Sequence, residues 1–142
     1  MATVNAVVEQ LLRTYDTITV VGASRNADKA AHTVPAQMQR HGWRIVPVNP
    51  FATEIFDVPA YPSLADLPGP AGFVDVFRPA HTTPDLARQA VAAGATALWL
   101  QLGIVSAEAR AIAEQAGLAY VEDRCVAVER ARLALAAPRL GG

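Results

Sequence analysis

Ile18-Thr19-Val20-Val21-Gly22-Ala23-Ser24-Arg25 decides how the rest of this 142-residue chain is read. Four β-prone residues run straight into a Gly-Ala-Ser turn, and a helix-compatible segment follows. Gly22 lets the backbone turn sharply and approach a ligand closely, because no Cβ intervenes. Ser24 is placed to cap the coming helix, whose free N–H groups and positive dipole end favour an anion such as pyrophosphate. Arg25 adds a permanent charge at the same mouth. This is the phosphate end of a nucleotide-binding βαβ unit. Only one of the three glycines of the dinucleotide fingerprint is present, however, and a plain strand-to-helix turn uses the same Gly and Ser. Taken alone, the turn leaves both readings open.

Upstream, Val4, Val7, Val8, Leu11 and Leu12 form the apolar stripe of an amphipathic helix within residues 1–15, laid across a sheet as a lid or anchor. Downstream, residues 30–41 read as a crossover helix stopped by Gly42. Arg44–Val48 is a second strand ended by Asn49-Pro50, and Pro47 places it at an edge or an interrupted ladder. The proline-rich stretch 51–72 holds a weak extended piece at 54–58, expected as a further strand, and one capped turn at Ser63–Leu67. Strands at 72–77, 97–101 and 118–122 then alternate with helices at 83–94, 106–117 and 126–137, and residues 138–142 are a flexible tail.

That alternation predicts one domain over residues 1–142, with an α/β, Rossmann-like, doubly wound and mainly parallel sheet in three layers. The expected strand order is 54–58, 44–48, 18–21, 73–77, 97–101, 118–122. Strands 18–21 and 73–77 are neighbours whose connections leave in opposite directions, and ligands bind in such a crevice beyond the carboxyl ends. The residues there are Gly22, Ala23, Ser24 and Arg25, then Asn49 and Pro50, then Phe77, Arg78 and Pro79, then Gln101 to Gly103. Arg25 and Arg78 are expected to face each other across it. Every strand end carries a polar, glycine or proline residue, which favours binding over a bland turn. An NAD site usually has an acidic residue at the end of its second strand, where Asn49-Pro50 stands here. A ligand with several phosphates suits the arginines better.

Composition narrows the classes further. A net charge of −1 and a pI near 6.3 offer no electrostatic footprint for nucleic acid or an anionic membrane. The uncharged run Gln89–Ala107 approaches the length of a membrane span, but Gly94 and Gly103 divide it. The single cysteine, Cys125, suits a reducing, cytoplasmic setting. Its place at a helix start allows a redox role, against the more ordinary reading of a half-buried structural cysteine. His32, His41 and His81 lack metal-ligand spacing. No nucleophile–base pair or paired-carboxylate site is evident, so nothing marks the chain as an enzyme. Asp75 stands inside an apolar strand, where a buried carboxylate needs partners; Arg78 and Arg124 are the candidates.

Six segments resemble one family, in order along almost the whole chain. They are Val21-Gly22-Ala23-Ser24, Ile45–Pro50, Tyr61–Asp66, Val74–Arg78, Leu98–Gly103, and Asp123-Arg124-Cys125 with Glu129. Together these resemble the small bacterial CoA-binding proteins of Rossmann-like fold, relatives of the CoA-binding domain of succinyl-CoA synthetase. The resemblance implies coenzyme A or an acyl-CoA as ligand. It puts pyrophosphate on the Gly22–Arg25 turn and adenosine against Asn49-Pro50 and Phe77-Arg78-Pro79. This chain departs at Phe51, where the family often has a basic residue, and at Ala30-Ala31-His32, where it tends to show Pro-Ser-Tyr. Arg25 and Lys29, the only lysine, are then the nearby cations for the 3′-phosphate. Two other readings stay open: an NAD(P)-dependent oxidoreductase or redox sensor, and a CoA-binding subunit of a ligase that needs a partner chain. A protein partner or homo-oligomer is compatible with any of them.

Overall fold

The computed structural model describes residues 2–139. Five parallel strands form the central sheet in the order β2 (Arg44–Val48), β1 (Thr17–Val21), β5 (Gly72–Val76), β6 (Ala95–Leu100), β7 (Ala119–Val121). One face carries α1 (Val4–Thr14), α2 (Ala30–Arg40) and α5 (Val126–Leu133); the other carries α3 (Thr83–Ala92) and α4 (Ala107–Gln115). This is the Rossmann-like α/β arrangement. Helices on both faces explain why β6 is apolar almost throughout, with Ala97, Leu98, Trp99 and Leu100 all fully buried. An isolated helix of α1's length is marginal in water. Burial of Val8, Leu11 and Leu12 supplies about 1.5–3 kcal/mol for each large side chain and holds it on the sheet.

The expected strand at 54–58 is not part of this sheet. Phe56 (φ 58°) and Asp57 (φ 60°) are consecutive left-handed residues, the geometry of a two-residue type I′ turn. They fold β3 (Glu54–Ile55) back on β4 (Val58–Pro59) as a separate antiparallel pair. The edge of β2 instead meets Tyr61 in a single bridge to Val48. The Asn49 N–H donates to the Tyr61 carbonyl (2.9 Å) and the Tyr61 N–H to the Pro47 carbonyl (3.0 Å). Pro47 thus sits on an edge strand, where its missing N–H costs no ladder bond. The final helix is also shorter than expected. It stops at Leu133 because Ala134 turns left-handed (φ 52°), and the chain doubles back so that the Ala137 N–H donates to the His41 carbonyl. Of the expected flexible tail 138–142, residues 140–142 lie outside the described part.

Asp75 has neither of its expected partners. Arg78 lies three positions on, an odd offset that sends the side chains to opposite faces of an extended chain, and Arg124 pairs with Glu129 at 2.8 Å instead. Asp75 is 1% exposed, in register between Val20 of β1 and Trp99 of β6. Neither carboxylate oxygen has a hydrogen-bond partner among the described residues. Burial pushes this carboxyl well above the usual range; the nearby Val76 amide pulls the other way without completing a hydrogen bond.

The folded chain therefore keeps Asp75 protonated at pH values where the unfolded chain, titrating near about 4, has released the proton. Between those two values the native state binds the extra proton, so stability falls as pH rises. Asp75→Asn keeps the shape and removes the titration. Its stability relative to the parent should rise steadily from pH 4 to pH 8, read as a growing difference in melting temperature. A margin that does not change with pH would show that Asp75 is not held neutral.

Candidate functional site

β1 and β5 are adjacent, and the chain leaves β1 toward the α2 face and β5 toward the α3 face. At their carboxyl ends lies a cleft of about 580 Å³. The turn after β1 supplies Gly22, Ala23 and Ser24; the start of α2 supplies Lys29 and Ala31; the end of β2 supplies Asn49, Pro50 and Phe51. Phe77 and Arg78 close it from β5, and Pro62 and Ser63 from the connection beyond Tyr61. A hollow of about 460 Å³ at the amino ends of the strands has Arg44 as its single charged residue and no helix N-terminus in its wall. The chemistry concentrates at the carboxyl edge.

The turn is stitched to both neighbours. The Gly22 N–H donates to the Val48 carbonyl (3.0 Å) and the Phe77 N–H to the Val21 carbonyl (2.9 Å). Gly22 adopts φ +86°, and a Cβ there would lie 2.7 Å from the Phe77 carbonyl oxygen and 2.9 Å from Cδ of Arg78. The fold alone demands this glycine.

Ser24 does not cap α2. Five residues separate it from Ala30, so its hydroxyl closes a local turn by accepting the Asn26 N–H (3.0 Å), and Asn26 does the same for Asp28 (2.9 Å). Lys29 occupies the cap position and makes no side-chain capping bond. What Ser24 does is pair its backbone with α2. Its N–H donates to the Ala31 carbonyl (3.1 Å), and its own carbonyl accepts from Nδ1 of His32 (2.7 Å). A carbonyl only accepts, so Nδ1 carries the proton. The Ala31 carbonyl is available because the residue four positions on is Pro35, which has no N–H. The outcome is a rigid turn beside a helix start whose first amides lack a side-chain cap.

Asn49 uses both ends of its amide. Nδ2 donates to the Ala23 carbonyl (2.8 Å), and Oδ1 accepts the Phe51 N–H (2.7 Å). The cations lining the cleft are Arg78 and Lys29, both exposed. Arg25 is exposed and does not line this cleft. Pro79 and Gln101 border an adjoining space. Gln101 is buried, and its Oε1 accepts the Val126 N–H (3.0 Å), capping α5. Gly103 lines neither space; its N–H donates to Asp123 (2.7 Å) and ties two loops together.

Sequence reasoning misses Pro35, for which a proline six residues into a helix is the visible signal. The surface or local capping role expected of His32 agrees with its bond to the Ser24 carbonyl. Phe51, 86% exposed at the rim, was noted there only for not being basic.

A family model described as a CoA binding domain matches residues 16–131. The chain belongs to that family. The uncharacterized protein YneT of Bacillus subtilis (strain 168) is 34% identical over 126 residues, covering 89% of this chain and 93% of its own. A Thermus thermophilus protein of known structure is 36% identical, covers 91% of this chain and 98% of its own, and superposes with a TM-score of 0.84. Acetate–CoA ligase (ADP-forming) II of Archaeoglobus fulgidus is 31% identical over 71 residues, which is 49% of this chain but 10% of the ligase. This CoA binding domain is thus shared with small proteins of its own size and with a short section of a much larger one. Among the described residues no group of three or more His, Cys, Asp or Glu could hold a metal ion, and no helix is long and apolar enough to cross a membrane.

Asn49→Asp tests the turn directly. A carboxylate cannot donate to the Ala23 carbonyl and is repelled by it, so stability at neutral pH should drop by about 1–3 kcal/mol. The loss should shrink below about pH 4, where the new side chain regains a proton to donate. Equal losses at pH 7 and pH 3.5 in denaturant titrations would refute the role given to Nδ2.

Proposed function

We propose that this protein binds coenzyme A or an acyl-CoA along the carboxyl edge of its sheet. Pyrophosphate lies at the Gly22–Arg25 turn and the start of α2, near Arg78. Adenosine lies toward Asn49, Pro50 and Phe51. The observation that carries this reading is the union of three features in one cleft, taken among the described residues: an uncapped helix start, two exposed cations without an ion-pair partner, and no acidic residue in the wall. The family supports CoA rather than another polyanion. Asn49 speaks against a nicotinamide dinucleotide, because its amide is spent on Ala23 and Phe51 and no carboxylate is there for ribose hydroxyls. A CoA-binding role inside a ligase is favoured only by the partial match to the Archaeoglobus enzyme, and that reading needs a partner chain.

Thermal shift decides between ligands. A ligand that binds only the native state adds RT ln(1 + [L]/Kd), about 2.7 kcal/mol at a hundredfold excess over Kd. CoA should produce such a shift; a larger one with NAD or NADH would overturn the assignment. Arg78→Ala should weaken CoA binding about tenfold or more in calorimetry, as loss of a charge-assisted contact does. The ligand-free melting temperature should move by less than about 2 °C, because Arg78 makes no ion pair or hydrogen bond among the described residues.

Lys29 is assigned to the 3′-phosphate. It is exposed, so CoA should bind only about fivefold more tightly than dephospho-CoA, with the difference fading in added salt. Lys29→Ala should erase the preference and leave dephospho-CoA affinity alone; an unchanged ratio would remove Lys29 from the site.

A further inference from the structure

The cleft does not end at Arg78. Lys29, Ala31, Phe77 and Arg78 form a ridge shared with a second cleft of about 490 Å³ on its far side. The two spaces differ in chemistry. Beyond the ridge the wall is Val34, Pro79, Leu102, Ile104 and Cys125, with no charged residue other than the two ridge cations. Gln101, the polar member, has its side-chain oxygen Oε1 committed to the Val126 N–H. Leu102 is 67% exposed, a large apolar side chain standing open at the rim.

We propose that this second cleft receives the thioester end of an acyl-CoA, with a short alkyl chain against Leu102, Ile104 and Val34. The inference rests on the CoA reading above and adds the class of ligand: an apolar acyl thioester rather than free CoA. The order of polarity along the edge matches that along the molecule. The phosphates meet the helix start and the cations, the amide-bearing arm crosses the ridge, and the alkyl group reaches a surface that offers it only dispersion and water release. A charged acyl group such as a dicarboxylic monoester would find no cation there beyond the two ridge residues among the described residues.

Cys125 supplies the readout, because it is the chain's single cysteine and lines the second cleft but not the first. Its alkylation by iodoacetamide can be followed by intact mass. The ligands are adenosine 3′,5′-bisphosphate, which lacks the arm, and S-ethyl-, S-butyl- and S-hexyl-CoA thioethers, which have no free thiol and cannot acylate the protein. Saturating S-butyl-CoA should slow alkylation about tenfold by denying access to the thiol, whereas the bisphosphate should slow it less than about twofold. Affinity should rise from S-ethyl to S-butyl by about twofold to fourfold per methylene. In Leu102→Gln that dependence should flatten while bisphosphate affinity stays as in the parent. If none of these ligands binds, the CoA reading itself fails. If all bind but alkylation is equally fast with each, or chain length makes no difference, the CoA reading stands and the acyl cleft is wrong.

Discussion

A carbonyl that its own helix cannot use holds the carboxyl edge of the sheet in shape. Pro35 deprives the Ala31 oxygen of its intrahelical donor, and the Ser24 N–H takes the vacancy. His32 returns the bond through the Ser24 carbonyl, and Asn49 fixes the preceding residue through the Ala23 carbonyl. Gly22 is locked between them by the close approach of Phe77 and Arg78. Three elements, β2, β5 and α2, thus converge on the three consecutive residues Gly22, Ala23 and Ser24. A turn held this way loses little further freedom when something binds, so more of the contact energy appears as affinity.

The fold was legible where patterning is local. Alternating apolar strands and capped helices located every strand of the main sheet, and the proline in β2 marked its edge. The hairpin at 54–59 was not legible, because a type I′ turn is normally signalled by Asn-Gly or Asp-Gly and here is made by Phe56-Asp57. Tertiary contacts stabilise that costly geometry: Gln39 donates to the Phe56 carbonyl (3.0 Å), and the Phe56 ring lies 4.9 Å from that of His32. The neighbourhood of the site could be read from strand ends, but the work of each residue could not. Ser24 looks like a cap and acts as a backbone tie. Gln101 looks like a ligand contact and acts as a cap. Such exchanges depend on loop length and on which amide points where, neither of which is visible in residue type.

Two buried carboxylates show how environment rather than identity sets their effect. Glu129 is 6% exposed; burial alone would raise it, but hydrogen bonds from Arg132 (2.7 Å) and Arg124 (2.8 Å), with their charges, outweigh that and hold it below the usual range. Its contribution is present above the unfolded value and is lost as pH falls through the folded one. Asp75 has no such partner and the opposite sign. Arginine that might have served Asp75 is used at Glu129, where it also reaches Asn5 of α1 (3.0 Å) and so ties the first helix to the last.

Charge is distributed so that selection is local. The whole chain carries a net charge of −1, yet the wall of the cleft holds Lys29 and Arg78 and no carboxylate. A low-dielectric concave wall concentrates that positive field, and the α2 start adds to it. A polyanion reaching this edge meets attraction with no facing carboxylate in the wall. The end of β2 sharpens the choice further. Asn49 must present a donor to Ala23 and an acceptor to Phe51 for the turn to stand, and a carboxylate can do only the second. The backbone therefore excludes the residue that would hold a nicotinamide nucleotide's ribose, while Phe51 beside it stands open to solvent.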